Sequence, residues 1–311
     1  MRAKTIAIYV VLIAGSLVML FPLWWMVCVS CSTPAEASAA ATSMEHFNWL
    51  PGLGRLHNYP DALMHMGTNE LRESDGQCPA GFFAALKWYT FDIGRRYRGF
   101  LDALANTVVV TVLSVIGQVL SCSLVGYAFA RLRFRGRGPL FVLMISTMML
   151  PAQVTMIPMF IMFRYFGWID TILPLVVPMF FGTPFYIFMF RQFFAQVPEA
   201  LVEAARVDGC GHLRIWWQIM LPLCRPVIAI TAIFVFIFVW NDFLGPLIYL
   251  HSEDQMTLAV ALNSFKNQYG DFRDAHWLMA ASIVTMIPCI VLFFVAQKQF
   301  IGGLQLGAVK G

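Results

Sequence analysis

Six long apolar runs, separated by polar or charged stretches, set the pattern of this chain: roughly residues 6–31, 104–130, 139–163, 171–190, 227–250 and 277–296. Each comes close to or exceeds the ~20 residues a helix needs to cross a hydrocarbon core of ~30 Å. The pattern predicts an all-α integral membrane protein with six transmembrane helices, and an even count puts both termini on one side. Prolines interrupt two of the runs, Pro151 and Pro158 in the third and Pro174, Pro178 and Pro184 in the fourth. Each removes a backbone donor and bends its helix. In lipid the freed carbonyls need partners in neighbouring helices or a wet cavity, so these helices are expected to face protein or a passage. Kinks that only improve packing are an equal alternative for any single proline. The first run competes with a signal peptide, whose apolar region would span about 7–15 residues. Here it continues through Phe21, Leu23, Trp24, Trp25 and Met26, which predicts an uncleaved span.

Composition closes off the soluble classes. The 311 residues are 59% hydrophobic and 12% charged, where a soluble domain carries about a quarter charged residues. The basic residues sort by side: Arg2, Lys4, Arg131, Arg133, Arg135, Arg137, Arg191, Arg206, Arg214, Arg225, Lys298 and Lys310 fall in one set of flanks. Lys and Arg resist translocation, so both termini are read as cytoplasmic. The formal net charge of +4 then reflects topology, and no soluble basic domain exists to bind nucleic acid.

The outer face receives residues 32–103, which include Arg55, Arg72, Lys87, Arg95, Arg96 and Arg98 and an amphipathic patch from Phe82 to Tyr89. Short helix against the membrane or a partner and a plain solvated connector are equally open there. Residues 251–276 form a second outer segment, read as a polar loop with Glu253, Asp254, Asp271 and Asp274. Cysteines 28, 31, 122, 224 and 289 lie in or at the ends of spans and act as small apolar fillers. Cys28 and Cys31 have redox spacing without a βαβ context, and Cys78, on the outer side, is expected to form no internal disulfide.

The segment between the fourth and fifth runs, within 191–226, is no simple turn. It reads as two short helices, the first with Pro198 at its first helical position and Glu199 complementing the N-terminal dipole. Gly209 suits the left-handed position that ends a helix. Leu201, Ala204, Ala205 and Asp208 share one face of small side chains suited to close docking. The second helix is expected to place Leu213, Trp216, Trp217, Met220 and Leu221 on one stripe lying in the membrane interface.

Glu203-Ala204-Ala205, then Gly209, then Ile219, Leu221 and Pro222 match the signature of a family. In these residues the chain resembles the integral-membrane permeases of binding-protein-dependent ATP-binding-cassette (ABC) importers. Asn106-Thr107, Tyr127 to Gly136, Leu150 to Pro158, Arg191 to Phe194, Trp240 to Phe243 and Gly307 to Gly311 extend the likeness from about residue 100 onward. It is similar to the carbohydrate branch, specifically the smaller six-span partner of maltose-type systems, although residues 66–98 look longer than that branch usually has.

The resemblance implies the type I importer permease fold, with an N-terminal helix (1–31), an outer loop (32–103), a five-helix core (104–297) and a cytoplasmic tail (298–311). It implies a cytoplasmic coupling helix around Glu203 to Gly209, seated in a cleft of an ATPase subunit. It also implies contact between the tail, with Gln305 and Lys310, and the ATPase pair. The implied partners are a second homologous permease, two ATPase subunits and an extracytoplasmic solute-binding protein. ATP and Mg would bind on the ATPase subunits, and no cofactor on this chain.

No Walker-type phosphate loop, metal-spaced His cluster or Gly-x-Ser-x-Gly occurs, so neither a resident metal nor enzyme chemistry is expected. The alternative, an ion-coupled secondary transporter, would need ionisable groups near mid-membrane. Gln153, Asn241 and Asp242 are the tentative pathway residues, although Asn241 and Asp242 read first as caps of a helix break before Gly245-Pro246. Gln118 and Asn106 read as interhelical hydrogen-bonding groups. The resemblance implies a sugar or sugar-like solute, with mono- or oligosaccharides, polyols and glycerol-phosphate derivatives all open.

Overall fold

The computed structural model describes residues 2–42, 49–52, 55–66, 98–269 and 275–308. The patch at 82–89, Cys78, Asp271, Asp274, Lys310 and most of the long segment 66–98 lie outside them. Among the described residues the chain is helical: α1 (Arg2–Ser30), α2 (Pro34–Thr42), α3 (Asn58–His65), α4 (Arg98–Arg131), α5 (Arg137–Ser146) and α6 (Ala152–Tyr165). These are followed by α7 (Leu173–Val176), α8 (Pro184–Gln196), α9 (Glu199–Val207), α10 (His212–Ile215) and α11 (Leu221–Leu223). The last four are α12 (Arg225–Trp240), α13 (Leu244–Tyr249), α14 (Leu258–Tyr269) and α15 (Ala275–Ala308). They divide into two compact units, Met1–Ala103 with Val260–Pro288, and Leu104–Ala259 with Cys289–Gly311.

Four helical stretches are long and apolar enough to cross a membrane, Ile8–Ser30, Gly99–Arg131, Leu173–Gln196 and Ala275–Gln297, and six if each of two bent pairs is one span. One bend falls within the third predicted run and the other, of 81°, between His212–Leu223 and Arg225–Trp240, just ahead of the fifth. Between Arg137–Met149 and Ala152–Tyr165 the chain turns by 98°, because Leu150 and Pro151 are both extended and a residue before proline avoids the helical region. The fifth run ends as a helix at Trp240 and resumes as α13. In the fourth, a 3-10 turn (Val177–Phe181) and Gly182 at φ +80° separate α7 from α8.

In the first unit the end of α1 is tied down by polar groups. Asn58 Nδ2 donates to the carbonyls of Ser30 (2.8 Å) and Ser32 (3.0 Å), satisfying acceptors that a helix end leaves open. Thr33 and Glu36 form a reciprocal capping box at the start of α2. Cys28, Val29 and Ala37 make a small apolar core with Ala275 and Met279. The six described cysteines are free thiols.

In the second unit α4 is polar inside and apolar outside. Thr107, Thr111, Ser114, Gln118 and Cys122 are buried, while Val108, Val109, Val112 and Ile116 are exposed, as a helix facing lipid requires. Gln118 donates to Thr183 Oγ1 (3.0 Å), and Asn106 to the carbonyls of Asp254 and Met256. The second outer segment is only partly a loop. It contains α14, because Leu258, Ala261 and Phe265 fall at i, i+3 and i+7 and are all buried.

Asp170 links the segment between α6 and α7 to the chain after α13. It is the one non-glycine residue with positive φ (63°) among the described residues. Its carboxylate accepts the N–H groups of His251 and Ser252, each at 2.9 Å, and the Ser252 hydroxyl. The Ser252 hydroxyl, then these two N–H groups, hold its pKa down at about 2.

Candidate coupling site

The segment joining α8 to α12 folds as two helices around a tight corner. Pro198 precedes α9 in an extended conformation, so it is the N-cap and Glu199 the first helical residue, one position later than expected. Glu199 lies in the first turn and Arg206 in the last, both favourable to the helix dipole. At the other end Cys210 N donates to Ala205 O (2.9 Å) and Gly209 N to Arg206 O (3.0 Å). This is the Schellman pattern, with Gly209 in the left-handed region at φ +78°. The corner is therefore specified by local sequence.

The faces differ from those expected. Val202 and Ala205 turn inward, 4% and 6% exposed, whereas Leu201, Glu203, Ala204 and Asp208 are exposed. Of the predicted small face only Ala205 is covered. In the second helix the buried residues are Ile215 and Met220, with Trp216 half-buried, while Leu213 and Trp217 stand out at 69% and 55% exposure. The stripe shifts because Trp216–Met220 is a π-helix. Pro222 lacks an N–H and its ring crowds the carbonyl four residues back, so the turn before it widens. Ile219 and Leu221 pack on the core, and Pro222 is exposed.

That core joins all the elements around the corner: Tyr127 of α4, Phe190 and Phe194 of α8, Val202 and Ala205 of α9, Ile215, Met220, and Val227 of α12. Polar ties surround it. Arg131 Nη2 donates to the carbonyls of Phe194 and Val197, Tyr127 Oη lies 3.3 Å from His212 Nδ1, and Arg206 Nη2 lies 3.4 Å from His212 Nε2. Arg133 and Glu199 approach to 3.8 Å with both side chains largely exposed, a contact of little energetic weight. Arg131, Arg133, Glu199, Glu203, Arg206 and His212 border a cavity of about 600 Å³. Sequence reasoning favoured a topological role for Arg131 over contact with anionic lipid heads or an ATPase surface, and gave Tyr127 none. Their four-residue spacing, which puts both on one face of α4, was the available signal.

The other candidate residues lie apart from this corner in the chain. Gln153 is exposed on α6. Asn241 donates to Ile237 O (2.8 Å) at the end of α12, and Asp242 accepts from Gly245 N (3.2 Å) at the start of α13. A Cβ at Gly245 would meet Asp242 Oδ2 at 2.5 Å, so glycine there leaves room for this capping carboxylate. Gln305 falls on α15. Among the described residues no group of three or more His, Cys, Asp or Glu side chains is placed to hold a metal ion.

Residues 122–304, which include the whole of this corner, match the profile of the binding-protein-dependent transport system inner membrane component family. The chain belongs to that family. Among related permeases, the arabinooligosaccharides transport system permease protein AraQ of Halalkalibacterium halodurans is 37% identical over 206 residues, 66% of this chain and 73% of the relative. The melibiose/raffinose/stachyose import permease protein MelC of Bacillus subtilis is 32% identical over 235 residues, 74% of this chain and 83% of the relative. A solved bacterial ABC transporter involved in the import of the acidic polysaccharide alginate has a chain similar to this one in fold. The TM-score is 0.72 at 23% identity, with 96% of each chain covered. The chain is thus a multi-pass permease subunit of an ABC importer with the type I fold, and it forms part of the translocation pathway. The ion-coupled alternative is not favoured.

Proposed function

We propose that this permease imports a sugar or sugar-like solute, as the smaller six-span partner of a second homologous permease. Two ATPase subunits carry ATP and Mg, and an extracytoplasmic binding protein delivers the solute. Both termini and the α9 corner lie on the cytoplasmic side. The saccharide names of the related permeases support the substrate class.

One observation carries the coupling role: α9 is locked on its inner side and open on its outer side. Val202 and Ala205 are sealed into the shared core, while Glu203, Ala204, Asp208 and, at 88% exposure, Val207 are presented outward. Small Ala204 allows a partner to approach closely, and Glu203 and Asp208 offer charges to its basic groups. A force on this face moves the ends of three long helices together, because they share one packed cluster.

The test is reconstitution with the cognate ATPase and partner permease. Uptake in proteoliposomes should require ATP hydrolysis and the binding protein. Uptake driven by an ion gradient with no ATPase present would refute the proposal. Solute affinity of the cognate binding protein then identifies the substrate.

A further inference from the structure

The end of α4 reaches the α9 corner at two points one turn apart. Arg131 seats its guanidinium on the carbonyls of Phe194, in the last turn of α8, and of Val197, two residues before α9 begins. Tyr127, four residues earlier and 2% exposed, reaches His212, the first residue of α10. A guanidinium only donates, so with Arg206 on His212 Nε2 that nitrogen accepts and Nδ1–H points to the Tyr127 hydroxyl. Entry to α9 is therefore held by Arg131 and exit from α10's start by Tyr127, although α4 lies more than sixty residues earlier in the chain. Neighbouring Arg133 and Arg135 are exposed. Arg131 differs from them because one guanidinium nitrogen, Nη2, donates to two carbonyls at once.

We propose that Arg131 and Tyr127 are positioning residues for energy coupling, with α4 as the strut that registers α9. The motion received by α9 then passes to the second span directly, as well as through α8 and α12, which are joined to the corner by the chain itself. This rests on the coupling role proposed above for α9 and adds the element that receives it.

Arg131→Lys separates the two roles open to the side chain: it keeps the positive charge that fixes topology, but its ammonium ends one atom short of the Nη2 position from which both carbonyls are met. Tyr127→Phe removes only the hydroxyl. Each variant is assembled with its full complement of partner subunits in proteoliposomes. ATP hydrolysed per solute imported and hydrogen exchange of the backbone over Glu199–Val207 are then measured. Arg131→Lys should insert normally and retain the ATPase, yet exchange over α9 should accelerate about tenfold, the population shift expected from losing a charge-assisted hydrogen bond. ATP consumed per solute should rise with it. Tyr127→Phe should give the same pattern at about fivefold.

Normal exchange and normal stoichiometry in Arg131→Lys would overturn the inference and leave Arg131 a topological charge. Failure of Arg131→Lys to insert, together with an unaltered Tyr127→Phe complex, would overturn it as well. Wild-type uptake that needed no ATPase would instead remove the coupling role itself, an outcome distinct from either.

Discussion

At Gly209 the backbone sits at φ +78°, and a Cβ added there would meet nothing within 4 Å. The cost of replacing it is therefore conformational: an L-residue in the left-handed region is penalised by about 1–2 kcal/mol, and a β-branched one by more. Gly209→Val should cut ATP-driven uptake at least severalfold at normal abundance, whereas Gly209→Asn, which tolerates this region, should keep most of it. Equal uptake by both variants would show that the corner does not need its left-handed residue. Asp170 is the counterpart between α6 and α7. Its carboxyl is held down at about 2, below the ordinary value near 3.9, so the folded state favours the ionised form. Its contribution to stability is fully present above about pH 5 and fades as pH falls from about 4 toward 2. In detergent, the melting temperature of Asp170→Asn should fall less steeply than that of the wild type across this window. Parallel curves would mean that the Ser252 and His251 contacts carry no net stability. The Gly209 corner was legible in the sequence because a left-handed turn is dictated by its immediate neighbours. Asp170 was not, since its partners lie 81 and 82 residues away.

Among the elements, α4 and α8 approach most closely at Gly126. A Cβ there would stand 2.7 Å from Phe190 Cβ, 3.1 Å from Arg191 N and 3.2 Å from Ile187 O. Two of these are backbone atoms that cannot rotate away, so the helices must separate to admit any side chain. Gly126→Ala should lower thermal stability by about 1–3 kcal/mol, and Gly126→Leu should abolish the packed α4–α8 pair, both read from thermal unfolding of the purified subunit. An unchanged melting temperature for Gly126→Leu would contradict the close crossing. At α9 and α10 other causes set which face turned inward. Periodicity showed that each had an apolar stripe, but the π-helix before Pro222 and the competition of Val202 with Leu201 for the core decided its direction. Likewise α14 was hidden in a segment read as polar loop, because its apolar run Leu258–Leu262 is short and is followed by Asn263, Ser264, Lys266, Asn267 and Gln268.

For the whole molecule, the uneven distribution of Lys and Arg gives a testable orientation. A sidedness reporter inserted at exposed Gly136 should be active as a cytoplasmic fusion, and one at Leu50, 73% exposed, as an external fusion. Reporters giving the same side at both positions would reject the six-span arrangement, since one crossing, α4, separates them. The apolar surfaces agree with that arrangement: Val10, Val11, Leu17, Val18 and Met19 of α1 are all at least 60% exposed, and only lipid or another membrane helix could cover them without cost.

The sequence by itself determined the class of molecule, the number of apolar runs and the position of the α9 corner, and it carries the charge bias that the orientation test reads. These depend on local quantities: hydrophobicity over about twenty residues, the φ of one glycine, and the composition of short flanks. Tertiary structure alone decided which side of α9 is sealed and which open, and that Arg131 grips Val197 from 66 residues away. Those outcomes come from side chains meeting across long stretches of chain, where the direction of a face is settled by what packs against it and no local pattern records the partner.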